Sequence, residues 1–273
     1  MIAEAWTEGK KAGHDYIPAR ELAAIAGELR PHQLTPLHFA SLVARWKQRY
    51  KRNTVWLYRQ GLRRFVEHIE QLSGIHQLAK QIPRVPRQRP RTLIAAPGEL
   101  PRLLAAAPGW LRCAILLAAH AGLRPSDCLR CAPHHYNAET HTLTITQKKT
   151  GEILRNPTTN ALHHALIHAP TTDDPTIPFV SLYRGQPLSY NALTKAWQKL
   201  KRLTNTNPHL TFHDLRRTYA TAVYDSSAGD LRLVEQALGH QSLSSTAQYL
   251  EHRDPEKLRA IVQQLKLPTE VKQ

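Results

Sequence analysis

Apolar residues recur at helical spacing along most of this chain and switch to a spacing of two in one short stretch. Ala19 to Leu29 reads as a helix that Pro31 ends, and the pattern resumes over Thr35 to Tyr50 and Asn53 to Leu72. In the last of these, Leu57, Gly61, Phe65 and His68 keep helical spacing, with Leu62, Phe65, Val66 and Ile69 as an apolar stripe. Pro97-Gly98-Glu99-Leu100 opens a helix that runs to Ala107, and Trp110 to Ala121 predicts an apolar helix ended by Gly122. Then the period changes. His141, Leu143 and Ile145 alternate with Thr142, Thr144 and Thr146, which predicts a strand; Lys148-Lys149-Thr150-Gly151 is a turn, and Glu152 to Asn156 returns as a second strand. Helical spacing returns over Thr158 to Ala169. After an irregular piece at Phe179-Val180 it resumes over Tyr190 to Leu203, where Lys195, Lys199, Lys201 and Arg202 give a basic side. The loop Asn205 to Pro208 leads into a helix bearing His213, and Pro255 to Leu265 closes the chain as an amphipathic helix with Leu258, Ile261, Val262 and Leu265 on its apolar face. The expected fold class is mainly α with a small β-hairpin.

One stretch interrupts the periodicity. Pro83 to Arg91 holds three prolines and the arginines Arg84, Arg87, Arg89 and Arg91; proline fixes φ and leaves ladder donors missing, so this reads as an extended connector. It divides the chain into a helical domain over 1–82, a linker over 83–92 and a second domain over 93–273. With 273 residues, each part is long enough to bury a core.

Charge changes the picture. Lys plus Arg number 37 against 21 Asp plus Glu, a formal net charge of +16, which points to a polyanionic partner, most simply nucleic acid. From Leu29 to Val66 there is no acidic residue, while Arg45, Lys47, Arg49, Lys51, Arg52, Arg59, Arg63 and Arg64 crowd two helices, with Trp46, Tyr50, Trp56, Tyr58 and Phe65 interleaved. A one-sign surface repels itself and is better tolerated against phosphates, where counterion release supplies affinity; the alternative is a solvated face that binds nothing. The linker arginines either follow a phosphate backbone or serve only solubility. No apolar run reaches the roughly 18 residues of a membrane span, and Met1-Ile2-Ala3-Glu4 does not begin a signal peptide, so a cytoplasmic, nucleoid-associated protein is expected. Three cysteines cannot form a fully paired framework, which fits a reducing compartment. Cys128-x-x-Cys131 with His134 and His135 has a zinc-ligand spacing, but the two thiols also fit the role of small buried hydrophobes, and no metal is expected.

The candidate chemistry lies toward the carboxyl end. His213 and Arg216 are three apart and share a helical face, opposite Leu215, Tyr219 and Ala222, so one side packs and the other presents an imidazole and a guanidinium. A guanidinium grips phosphate oxygens through paired charge-assisted hydrogen bonds. Leu238-Gly239-His240 follows, and nine residues beyond His240 stands Tyr249. A phenol with a pKa near 10 is ionised in only about one molecule in a thousand at pH 7, so as a nucleophile it needs neighbouring help. Upstream, Gly122 ends one helix and Pro125 suits the start of the next, which places Arg124 at a joint between two rigid elements.

In this order the block resembles the signature of the tyrosine recombinases, the phage integrase family. Their pattern is an Arg in a Gly-Leu-Arg turn, a Lys in a β-hairpin, His-x-x-Arg, Leu-Gly-His and a late Tyr. The resemblance selects Arg124, Lys149 with Lys148 as the second choice, His213, Arg216, His240 and the nucleophile Tyr249. It places Asp127 at an accessory acidic position where the family more often has Glu. It implies a core-binding helical domain of the SAM-like kind before a catalytic domain of the DNA breaking-rejoining fold. It also implies strand transfer through a 3'-phosphotyrosyl link, without metal, ATP or any other cofactor or small-molecule substrate. A homotetramer on DNA and a monomer off it are the expected states, for an integrase or resolvase of a mobile element. A type IB topoisomerase-like enzyme and a DNA-binding regulator that no longer cuts are the alternative readings.

Overall fold

The computed structural model describes residues 14–88, 93–169, 174–181 and 188–239. The chain separates into two compact units, 1–90 and 91–273.

In the first unit α1 (Tyr16–Ala26), α2 (Pro36–Arg49) and α3 (Arg52–Ser73) pack around Phe39, Leu42, Trp46, Leu62 and Val66, each at most 2% exposed. The predicted first helix ends earlier than Leu29, at Gly27, and Pro31 starts a separate 3-10 turn. Gly61 is where the chain leading into α1 meets α3: a Cβ there would overlap the His14 carbonyl oxygen, so only glycine permits the approach. The aromatic residues interleaved with the basic ones are mostly core. Trp46, Tyr58 and Phe65 are buried, and the Trp46 indole donates to Glu21 at 2.7 Å. The start of the Pro/Arg stretch also packs on this unit. Ile82 and Val85 join its core, and the carbonyls of Pro83 and Pro86 accept from Arg59 (3.1 Å) and Arg52 (3.3 Å). Over 82–86, therefore, the extended chain is a packed strap, because Ile82 and Val85 have a core to enter.

The second unit is built on α5 (Gly109–His120), whose residues Leu111 and Cys113 to Ala119 are all buried. Full burial of side chains such as Leu111, Ile115 and Leu117 stabilises by about 1.5–3 kcal/mol each before entropy is counted. Around it lie α4 (Glu99–Ala106), the short α6 (Pro125–Cys128), α7 (Asn160–Ile167), α8 (Tyr190–Leu203), α9 (Phe212–Ser226) and α10 (Leu231–Leu238). The alternating stretch forms β2 (Thr142–Thr146) and β3 (Ile153–Pro157), paired antiparallel with Leu143 opposite Asn156. A two-residue strand not anticipated from the pattern, β1 (Tyr136–Asn137), adds to the other edge of β2. His141 lies outside the strand in left-handed backbone, φ 50°. Helix α7 is shorter than the predicted Thr158 to Ala169 because Thr159 caps it, its hydroxyl accepting from the Leu162 amide at 3.3 Å.

Cys113, Cys128 and Cys131 are free thiols sealed in this core, and burial pushes all three well up from the usual thiol range. Lys201, predicted on a basic surface, is instead 2% exposed and donates to the Pro208 carbonyl at 2.6 Å, pinning the loop after α8. Among the described residues no helix is long and apolar enough to cross a membrane.

Candidate active site

The joint between α5 and α6 carries the first candidate arginine. Gly122 adopts φ +65°, which turns the chain, and Pro125 opens α6, leaving Arg124 as its N-cap residue, half-buried. Its Nη1 donates to Oε1 of Gln147, the residue that follows β2. Gln147 is 1% exposed and makes two further bonds. Oε1 also accepts from the Thr150 hydroxyl at 3.0 Å, and Nε2 donates to the Leu238 carbonyl at 2.8 Å.

That same Leu238 oxygen accepts from Nη2 of Arg216 at 2.8 Å, while Nη1 of Arg216 donates to the Gly122 carbonyl. Arg124, the hairpin loop, the end of α10 and Arg216 thus form one continuous hydrogen-bonded group. Here the face expected from helical spacing needs correction. Arg216 is 0% exposed, because α9 is enclosed on both sides by α5 and α10, whereas Ala222, predicted to pack, is exposed. The Arg217 guanidinium is buried too and donates to Asp214 at 2.8 Å; the other Asp214 oxygen accepts from the amide and hydroxyl of Thr211, both at 2.7 Å, and so caps α9.

His213 is half-buried on the first turn of α9. Burial first, then the Arg216 and Arg217 guanidiniums, with Arg124 adding less, push its imidazole down to about 4. It is therefore neutral at pH 7.

Lys149 sits exposed in the four-residue turn Lys148–Gly151, and Lys148 is exposed as well. The turn is tied on both sides of Lys149: the Lys148 amide donates to Asp127 Oδ1 at 3.0 Å, and the Thr150 hydroxyl to Gln147. Asp127 is fully buried and bonds to the hairpin backbone, with the Arg130 guanidinium 3.7 Å from the same Oδ1. Its Oδ2 has no hydrogen-bond partner among the described residues. The expected sites His240 and Tyr249, and the helix from Pro255, lie outside the described residues, as do Arg89 and Arg91.

Residues 95–256, more than half of the chain, match the family model described as the phage integrase family. The chain belongs to the phage integrase family. Among curated relatives, the tyrosine recombinase XerC of Chlamydia pneumoniae is 28% identical over 146 residues, 51% of this chain and 46% of that protein. XerC of Mesorhizobium japonicum is 29% identical over 201 residues, 70% of this chain and 64% of that one. The chain thus spans about half to two thirds of the length of these relatives. A solved structure of the Tn1549 transposon integrase in complex with transposon right end DNA superposes with a TM-score of 0.73, covering 97% of this chain and 98% of that one at 13% identity. At that identity the likeness is one of fold.

Two residues of this integrase-family unit escaped the sequence reading. Gln147 and Asn156 continue the inward positions of their strands, after Ile145 and Leu154, and both are buried amides. Asn156 Nδ2 donates to the carbonyls of Ala121 (3.1 Å) and Ala237 (2.7 Å), tying the same two helix ends that Gln147 and Arg216 reach. An amide at a position where the alternation calls for an apolar residue was the available signal.

The basic helices of the first unit are largely as exposed as their composition implies. Arg45, Lys47, Arg49, Lys51, Arg52, Arg63, Arg64, Arg84 and Arg87 face solvent, while Arg59 is half-buried. Two of them have acidic partners from outside the acid-free window: Arg63 pairs with Glu67 at 2.7 Å and Arg64 with Asp15. Arg87 also lies over the Trp56 ring, 5.2 Å from its centroid.

Proposed function

We propose that this chain is a site-specific DNA recombinase that breaks and rejoins double-stranded DNA through a 3'-phosphotyrosyl intermediate, as integrase or resolvase of a mobile element. The observation that carries the reading is the convergence of Arg124 and Arg216, 92 positions apart in the chain, on one network through Gln147 and the Leu238 carbonyl. Two guanidiniums so linked suit the two non-bridging oxygens of a phosphodiester and would offset the charge that grows on them in the transition state.

In this reading the Tyr249 oxygen attacks phosphorus, the bond from phosphorus to the 5' oxygen breaks, and Lys149 supplies the proton that oxygen takes. The phenolic proton passes to His213 or His240; an imidazole already neutral at pH 7 suits that role. One phosphate ester replaces another, so the step is close to thermoneutral and reverses when a 5'-hydroxyl of a partner strand attacks. Neither ATP nor a metal enters. Strand exchange between two duplexes takes four such sites, hence a homotetramer on DNA and a monomer off it. The exposed arginines and lysines of the first unit, with Arg84, Arg87, Arg89 and Arg91, supply the grip on the backbone. The work is done in the cytoplasm, on the nucleoid.

The test is covalent capture. Nicked duplexes from a random-sequence pool are incubated with the protein, and DNA carried into the protein fraction after denaturation is sequenced. Adduct with the wild type and none with Tyr249→Phe is the expected result. Adduct persisting in Tyr249→Phe would place the nucleophile elsewhere, and DNA binding without adduct would favour a non-cutting regulator.

A further inference from the structure

We propose that Gln147 is a positioning residue for strand cleavage, holding Arg124 and the Lys149 turn in register against the end of α10. The proposal rests on the recombinase reading and names a residue to which that reading gives no role. Its side chain is 1% exposed and joins three segments: the α5–α6 joint through Arg124, the turn through Thr150, and α10 through the Leu238 carbonyl, 91 positions away. The backbone of the same residue closes the turn, its amide donating to Glu152 at 2.8 Å and its carbonyl accepting from Gly151 at 2.9 Å.

Only a side chain that accepts and donates at once fits this place. Oε1 takes two donors while Nε2 gives one, so glutamate would lose the bond to Leu238 and methionine would lose all three. Gly239 keeps the space open, since a Cβ there would stand 2.8 Å from Nε2. A guanidinium and an ammonium that must meet one phosphate lose effect steeply with misplacement, and this amide bonds both to the Arg124 side chain and to the Lys149 turn, beside the tie that Asp127 makes to the Lys148 backbone.

A structural strut and a positioning residue differ in how the defect responds to the substrate. Gln147→Met and Gln147→Glu are compared with wild type, Lys149→Ala and Tyr249→Phe on a duplex captured by the wild-type protein, in single-turnover cleavage. Three scissile linkages are used: the natural phosphodiester, one with sulfur in place of the 5' bridging oxygen, and a methylphosphonate. Sulfur leaves without a proton, so its departure does not need Lys149; the methylphosphonate lacks the charge that Arg124 answers.

Gln147→Met should cleave the natural linkage about 100-fold more slowly than wild type, with DNA affinity within about threefold. The sulfur and methylphosphonate substrates should each recover about tenfold or more of that loss, as sulfur does for Lys149→Ala, while Tyr249→Phe recovers nothing. Gln147→Glu should lose less and be rescued in the same way. Natural-linkage cleavage by Gln147→Met within about threefold of wild type, or an equal loss on all three linkages, overturns the proposal. If Gln147→Met does not fold, the Gln147→Glu result decides; if neither folds, Gln147 is a strut and the proposal falls. Absence of adduct from the wild type on every duplex would overturn the recombinase reading itself, and the positioning role with it.

Discussion

Replacing Gly122 by alanine probes the joint on which the site depends, and its cost can be worked from two separate terms. The first is conformational: at φ +65° an L-residue is in left-handed backbone, which costs roughly 1–2 kcal/mol. The second is steric. An added Cβ would stand 2.5 and 2.7 Å from Cδ1 and Cε1 of Tyr219 and 3.2 Å from the Leu238 side chain. The Tyr219 ring must therefore shift, and overpacking of this kind costs about 1–3 kcal/mol. Together these give Gly122→Ala a loss of about 2–5 kcal/mol. Gly98 separates the two terms, since it lies in the same unit at φ +82° with nothing within 4 Å of the added Cβ; Gly98→Ala should show the conformational part alone. Native-state hydrogen exchange of the buried amides in α5 reads the free energy of this unit independently of the first. The reasoning also requires a functional effect, because the Gly122 carbonyl accepts from Arg216 and cannot move without loosening it. Were Gly122→Ala to cost no more than Gly98→Ala, the crowding against Tyr219 would not exist in solution and the joint would be wrongly described.

Two further perturbations test the charges of this unit. His213 has a folded-state pKa of about 4, below its usual value near 6.5, so the unfolded chain takes the proton first; stability is untouched above about pH 6.5 and falls as pH drops toward 4, by at most about 3 kcal/mol. Denaturant midpoints at pH 7.5 and 4.5 should differ less for His213→Gln than for wild type, and equal losses would mean that other groups carry the acid sensitivity. Asp214→Asn leaves the Arg217 guanidinium buried beside a neutral partner and should cost about 3 kcal/mol or more, whereas Glu67→Gln, at the exposed pair with Arg63, should cost under about 1 kcal/mol. Thermal unfolding of the two variants checks the contrast, which similar losses would refute.

The legible part of the chain was the part written in local pattern. The alternation around Leu143 and Ile145 marked the strand, Gly122 and Pro125 marked the joint at Arg124, and the apolar run after Trp110 marked the helix at the centre of the second unit. What local pattern could not give is which charged side chains are taken inside. Lys201 and Arg216 look like surface residues by composition, but Lys201 finds the Pro208 carbonyl in the loop after its own helix and Arg216 finds carbonyls of Gly122 and Leu238 on other elements, and periodicity carries no trace of those. Asp127 was legible as a carboxylate in a motif, not as the acceptor for an amide 21 positions on. The basic helices were read correctly as exposed, while the aromatic residues among them went to the core, because a helix stripe rich in rings buries them whatever charges stand alongside.

The last turn of α10 is moored by side chains from three other elements. Asn156 holds the Ala237 oxygen, and Gln147 and Arg216 together hold that of Leu238. An oxygen gripped by two donors is released only if both let go, so a pull on the root of the next segment is felt in the hairpin and in α9 at the same time. The polypeptide that continues beyond Gly239 therefore departs from an anchored origin.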